Sequence, residues 1–376
     1  MKILIYGGSF DPAHKGHFEL LKAAFSQIKP DSAYVFTAYQ SPFKRKSPVS
    51  FETRRQMAAE TLREISPKII FDDFENKVKR IVYAREHINY ARKLHPNAKI
   101  YLLVGTDCLN DIPKWKNPKY IFDNAVIVAG SRKGFEFTEK TFDFILLKGS
   151  FPEICSTQIR FDIFCNGTIP SNIPARTADL IRKKQLYGLN IHKWLCANLK
   201  PKRYEHTKFV AREALKFAQI YKADVDAAII AALLHDAGKS MNAGGLIKYS
   251  LKHKIKVNNF KDICKRAPAL LHGAVSAHIA RILFKVKDGN ILSAIKKHTL
   301  GAADMNDLEK ILFIADMTSQ DRLYNEVAFA RAQAMKSLDL GLSAAMARKL
   351  IFTIETGKWL APDGLKSWNT LISKNK

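Results

Sequence analysis

Two groups of residues in this 376-residue chain have the types and spacing to do chemistry. The first lies in GGSFDPAHKGHFEL (residues 7–20), where paired glycines and a proline precede His14 and His17. Residues three apart share a helix face, so both imidazoles project from the start of one helix. Unpaired N–H groups and the helix dipole favour an anion there. The second group is spread over the last half: His206, the adjacent pair His235–Asp236, His272, His298 and Asp316. His235 and Asp236 close the apolar run AAIIAALL, and Asp316 ends FIAD. Ionisable groups in such places are costly to desolvate unless they are paired or bind metal. Imidazole and carboxylate without thiolate suit iron, with manganese or cobalt as alternatives, better than a structural zinc. His278 reads as structural or supporting.

Elements must position these groups. KILIY, at the N-terminus, is short and apolar, as a buried parallel strand is. YVFTAY, KIIFDDF, KIYLLVG, NAVIVAG and DFILLK read as further strands, with helical stretches such as FETRRQMAAETLREI between them. This alternation predicts an α/β, Rossmann-like, doubly wound parallel sheet, whose ligands bind where strand gives way to helix. After TADLIRKKQLYG the strand patterns stop and helical patterns follow one another. The expected division is therefore 1–188, α/β, and 189–376, all-α.

Composition narrows the class. No apolar run approaches the roughly 18–20 residues a spanning helix needs, so no membrane partner is expected. Five scattered cysteines, odd in number and without a C-x-x-C pair, fit reduced thiols and a cytoplasmic location. The formal net charge of +26 is compatible with phosphate-bearing ligands.

GGSFDPAHKGH resembles the GGTFDP-x-H-x-GH signature of the nucleotidylyltransferase superfamily. VGTDCLNDIPKW (104–115), EICSTQIR (153–160) and TADLIRKKQLYG are similar to further motifs of the bacterial nicotinate-mononucleotide adenylyltransferases. That resemblance implies transfer of AMP from ATP, carried with Mg²⁺, to nicotinate mononucleotide. It places His14 and His17 on the ATP phosphates, with His17 stabilising the charged transition state. It assigns Gly7, Gly8, Ser9, Gly105 and Asp107 to the nucleotide, and Lys44, Ser156, Thr157 and Arg160 to phosphates. Tyr83, Ala84 and Trp115 fall to the pyridine mononucleotide. Trp115 would stack on the pyridine ring; its other reading is a core residue beside a Pro-Lys turn. Two departures bear on acceptor choice: Phe43 stands where histidine is usual, and Ala84 where threonine is usual. Nicotinate mononucleotide is expected to be preferred over nicotinamide mononucleotide, but less strongly than usual.

RYEHT, ALLHDAGK, LLHGAVSAH, the HTLG segment and FIADM resemble the HD-domain metal phosphohydrolases, and within them the bacterial symmetrical diadenosine tetraphosphate hydrolases. The resemblance implies a di-metal centre that cleaves the tetraphosphate to two ADP. One metal would take His206, His235, Asp236 and Asp316; the other would share Asp236 and use His272 and His298. Two close metals activate a water and clamp the phosphate under attack. Arg203 and Lys239 are expected to hold phosphate oxygens.

Two other readings stand beside this bifunctional enzyme. One is an RNA-binding protein with an accessory HD half, although no RNP-like, KH-like or zinc-knuckle pattern is found. The other is an adenylyltransferase with a different acceptor and an HD nucleotidase. The sequence leaves the oligomeric state open.

Overall fold

The computed structural model describes residues 1–42, 47, 49–130, 142–323 and 326–374, with the side chains of residues 106, 107 and 374 left out. The chain divides into two compact units: Met1–Ile163 with Thr168–Tyr187, and Phe164–Gly167 with Gly188–Lys376.

In the first unit, six strands form one sheet in the order β3-β2-β1-β4-β5-β6. They are β1 (Lys2–Gly8), β2 (Ser32–Thr37), β3 (Ile69–Asp72), β4 (Lys99–Val104), β5 (Val126–Gly130) and β6 (Phe144–Leu147). Every pairing is parallel. The run KILIY lies at the centre because a parallel strand covered by helices on both faces must be apolar on both. Accordingly Ile3, Leu4, Ile5 and Tyr6 are all buried. Sheet order reverses between β1 and β4, and a site is expected outside the carboxyl ends of strands at such a reversal.

The second unit is helical among its described residues. Helix Pro201–Ile220 packs beside Val225–Leu234, and the helices His272–Leu283, Gly289–Lys297 and Asp307–Thr318 complete the surround. Val225–Leu234 is apolar on nearly all sides, and seven of its ten residues are buried. It starts at Asp224, whose carboxylate accepts the Ala227 N–H at 3.0 Å. Helix Asp307–Thr318 starts with a reciprocal cap, Asn306 and Glu309 each accepting the other's backbone N–H at 3.0 Å. Among the described residues no helix is long and apolar enough to cross a membrane.

Candidate active sites

In the first unit the chain leaves β1 through Gly7 and Gly8 and enters helix Lys15–Ile28 with His14 at its N-cap. The His14 and His17 rings lie 3.8 Å apart between centroids. The His14 backbone N–H donates to His17 Nδ1 at 3.2 Å, which leaves the proton of the neutral His17 ring on Nε2. A Cβ at Gly16 would approach the His14 ring to 3.0 Å, so a larger residue there would have to shift that imidazole.

The turn is tied from several directions. Tyr187 donates its hydroxyl to Asp11 Oδ1 at 2.6 Å, and Ser47 donates to Oδ2 at 2.7 Å. Burial, with the Asp11 charge adding to it, pushes the Tyr187 phenol well above its ordinary range. Helix Ser156–Asn166 begins against the same turn. Ser156 Oγ donates to the Pro12 carbonyl at 3.1 Å, while Arg160 donates to the Asp11 carbonyl and, at 3.2 Å, to Thr157 Oγ1. The structure therefore brings His14, His17, Ser156, Thr157 and Arg160 to one corner.

Beside that corner a cavity of about 570 Å³ opens at the strand ends, lined by Gly7, Gly8, Ser9, Tyr83, Ala84 and Trp115 among others. Trp115 lines this cavity and also packs against the sheet core. Lys116 Nζ lies 4.8 Å from the centroid of the Tyr83 ring. Gly105 caps the short helix that follows β4. Lys44 and Phe43 lie outside the described residues, as does the Asp107 side chain.

Sequence reading missed the buried groups beneath this cavity. Glu75 and His87 pair at 3.0 Å, and Glu75 accepts the Tyr39 N–H at 2.8 Å. The His87 ring stacks on Phe36 at 4.3 Å. Arg54, only 4% exposed, donates to the carbonyls of Ser9, Ala38, Tyr39 and Val49. It thereby holds three segments of the site's rim together.

In the second unit the five helices aim their polar residues inward. His235 donates Nδ1–H to the Ala232 carbonyl at 2.6 Å, His272 to Ala269 at 2.6 Å, and His298 to Ile295 at 2.7 Å. Each bond reaches back three residues and fixes the tautomer that leaves Nε2 bare. Among the described residues, His235 Nε2 is buried without a hydrogen-bond partner. The Nε2 atoms of His272 and His298 face each other at 3.0 Å. Two facing lone pairs repel, and a cation between or beside them relieves the contact.

The carboxylates complete the cluster. Asp236 Oδ2 lies 3.4 Å from His235 Nε2 and 2.8 Å from Arg203. Its Oδ1 lies 3.2 Å from His272, 3.8 Å from His298 and 3.0 Å from Lys239. Asp316 Oδ1 lies 3.1 Å from His206 and 3.9 Å from His235. Ligand atoms of His206, His235 and Asp316 converge within 4.8 Å, as do those of His235, Asp236 and His298. The sequence reading gave Asp236 to both metals; in these two triads His235 recurs, while the two oxygens of Asp236 approach different imidazoles, Oδ2 that of His235 and Oδ1 those of His272 and His298. Orphaned Nε2 atoms and hard carboxylates fit divalent cations.

Electrostatics keep the two carboxylates charged. Burial opposes ionisation of Asp236, but His235 and His272 hold it well below the carboxylate range. Asp316 is likewise held low against its burial by His206 and Arg322. Burial and the neighbouring histidines keep His298 neutral, far below its usual pKa. Three further residues belong here that sequence reading missed. Asp321 accepts from His206 Nδ1 at 2.7 Å, and its pKa is lowered to about 2 despite burial, chiefly by that bond. Arg322 pairs with Asp316 at 2.7 Å, and Lys349 donates to the His298 carbonyl at 3.0 Å. A cavity of about 480 Å³ opens over His272, His298 and Asp316, with Lys239, Arg322 and Lys349 in its wall. His278 lies apart, bonded to Tyr249 at 3.1 Å.

Gly238 sets the spacing between two of these elements. Its N–H donates to Ser276 Oγ at 2.8 Å, and a Cβ would come within 2.7 Å of the His272 carbonyl oxygen. Only glycine lets the His235–Asp236 segment lie this close to His272.

Comparison with known proteins agrees with this division. Residues 5–161 match the cytidylyltransferase-like family, and residues 203–321 match the HD domain. A Mycoplasma genitalium protein named "Probable nicotinate-nucleotide adenylyltransferase/Ap4A hydrolase" is 27% identical over 85% of this chain and 88% of its own length. A Clostridium tetani protein named "Probable nicotinate-nucleotide adenylyltransferase" is 34% identical over 50% of this chain and 98% of its own. The symmetrical bis(5'-nucleosyl)-tetraphosphatase of Halalkalibacterium halodurans is 30% identical over 46% of this chain and 91% of its own. Through its first half this chain belongs to the nicotinate-nucleotide adenylyltransferase family, and through its second to the symmetrical bis(5'-nucleosyl)-tetraphosphatases with an HD domain.

Proposed function

We propose that the chain is a bifunctional enzyme that makes nicotinate adenine dinucleotide from ATP and nicotinate mononucleotide, and hydrolyses diadenosine tetraphosphate to two ADP. The observation that carries this reading is that each compact unit has its own cluster of polar residues beside its own cavity.

In the first reaction an oxygen of the mononucleotide phosphate attacks the α-phosphorus of ATP, and the bond to pyrophosphate breaks. No covalent enzyme intermediate is needed, so positioning and charge stabilisation do most of the work. Gly7, Gly8, Ser9, Gly105 and Asp107 line the nucleotide, which arrives with Mg²⁺. His17 donates Nε2–H to a phosphate oxygen as negative charge builds, and His14 supports it. Lys44, Ser156, Thr157 and Arg160 hold the remaining phosphates. Arg160 is preorganised by its bonds to Asp11 and Thr157. Tyr83, Ala84 and Trp115 take the pyridine nucleotide.

In the second reaction His206, His235, Asp236, His272, His298 and Asp316 would hold two divalent metals, iron or manganese by the chemistry of the donor set. Held there, such ions would supply Lewis acidity for an attacking water and for the phosphate under attack. Arg203 and Lys239 neutralise Asp236 and hold arriving phosphate oxygens. Asp321 orients His206, as a carboxylate behind a ligating imidazole does.

The test is His17→Ala in the full-length chain, with both reactions followed by product chromatography. Dinucleotide synthesis should fall about 10²–10³-fold in kcat, the usual loss for one transition-state donor, with ADP release unchanged. Near-normal synthesis would refute the role of His17. A wild type that makes no dinucleotide would refute the first activity.

A further inference from the structure

A second cavity of about 810 Å³ lies in the second unit, and neither reaction as derived so far uses it. Its wall includes Leu270, Thr299 and Lys349, and the same three residues line the cavity over the metal-ligand cluster. The two cavities therefore adjoin at these three residues, here called the neck, where Lys349 supplies an amine whose pKa burial lowers to about 8. Thr299 is buried there, with a hydroxyl that has no hydrogen-bond partner among the described residues.

Away from the neck the larger cavity turns apolar, with Leu300, Leu350 and Trp359 among its walls. Trp359 is half-buried, packing against the cluster that contains Ala237 and Leu246. Trp359 also lines this cavity, and among the described residues its indole makes no ring contact with another aromatic side chain.

Symmetrical cleavage adds a chemical requirement. Hydrolysis at the central anhydride leaves a nucleoside diphosphate on each side of the broken P–O bond, the attacked phosphorus ending as the β-phosphorus of one of them. Two bases must then be housed on two sides of one polar centre, each within reach of a diphosphate. The smaller cavity, over the metal-ligand cluster, has room for one.

We propose that the larger cavity, walled by Trp359 and joined to the metal cluster past Lys349 and Thr299, is the subsite for the second nucleoside of a dinucleoside polyphosphate. This rests on the hydrolase reading given above. The base stacks on Trp359, Lys349 meets the phosphates that pass the neck, and the Thr299 hydroxyl meets the same chain. Substrates with one nucleoside leave this cavity unfilled and bind less tightly.

The experiment compares kcat/KM for diadenosine tetraphosphate and for adenosine 5'-tetraphosphate in the full-length, metal-loaded protein. Base–aromatic stacking makes a difference of roughly tenfold to a hundredfold, so the wild type should prefer the dinucleotide by about that factor. Trp359→Ala should bring the ratio close to one, and Trp359→Phe should keep most of the preference. Gly364→Leu provides a block that does not remove core packing. Gly364 lines the cavity from helix Pro362–Lys374, and a Cβ there meets Leu300 at an ordinary 3.6 Å. It should lower the ratio in the same way, with the mononucleoside substrate unaffected. An unchanged ratio in both Trp359→Ala and Gly364→Leu overturns the subsite. So does a wild type that cleaves both substrates equally well, although the hydrolase reading then survives. A wild type that cleaves neither overturns the hydrolase reading and the subsite with it.

Discussion

Asp236→Ala removes a fully buried carboxylate around which three imidazoles and two side-chain cations are gathered. Two consequences follow. In metal-stripped protein, Arg203 and Lys239 lose their anion. Breaking a buried ion pair from one side costs about 3–5 kcal/mol. Both cations are 35% exposed and can rehydrate, so the lower end, about 3 kcal/mol, is expected. For a unit of this size each kcal/mol moves the melting midpoint by roughly 2–4 °C, giving a drop of about 6–12 °C. In loaded protein, the loss of a carboxylate whose two oxygens approach different imidazoles should weaken metal binding by more than about 100-fold. That figure is the upper end for losing a residue that merely orients a ligand. Calorimetry of the stripped protein, elemental analysis of the loaded protein and ADP release together make the assay, with dinucleotide synthesis as the internal control. Retained metal with retained ADP release would refute the site. A midpoint shift under about 2 °C would refute the electrostatic account of Asp236.

Acceptor choice is open to a direct competition between the acid and amide mononucleotides, where kcat/KM should favour the acid; equality or reversal would sink that assignment while sparing adenylyl transfer. Gly238→Ala should push the Asp236 segment off the His272 backbone. A cost of about 1–3 kcal/mol from overpacking and weaker metal binding are expected, and an unchanged metal affinity would refute the close-approach argument. His192 is buried between the Phe164 carbonyl and the Tyr204 hydroxyl, and burial lowers its pKa below 6.5. Because the unfolded chain then binds the extra proton first, stability should fall as pH drops below about 6.5 and level off below the folded value. His192→Gln should flatten that slope in urea titrations between pH 7 and 5, and an undiminished slope would assign it to other groups.

The strands, the paired histidines and the HD cluster could be read in advance because each leaves a local mark: an apolar run, an i,i+3 spacing, or an ionisable pair closing an apolar helix. Arg54 left none. In FETRRQMAAETLREI it looks like one more solvated charge, and only closure of the fold shows that it is buried under four carbonyls. Glu75 and His87 are twelve residues apart and on different elements, so no periodicity links them. Asp321, Arg322 and Lys349 support the cluster from beyond the motif that announces it. His278 carries the opposite lesson. The right residue type on the right helix is turned toward Tyr249 instead.

The bond from Tyr187 to Asp11 spans 176 positions, nearly the whole first unit. Synthesis runs from the N-terminus at about 5–20 residues per second, so Asp11 waits roughly 9–35 s for the hydroxyl that fastens it. During that interval the β1 strand and the GGSFDP turn already exist as chain, yet Asp11 still lacks one of its two hydroxyl donors. The nucleotide corner therefore matures last in its own unit, and nascent chains released short of residue 187 should carry GGSFDPAHKGH and EICSTQIR while lacking the fastener that fixes their geometry.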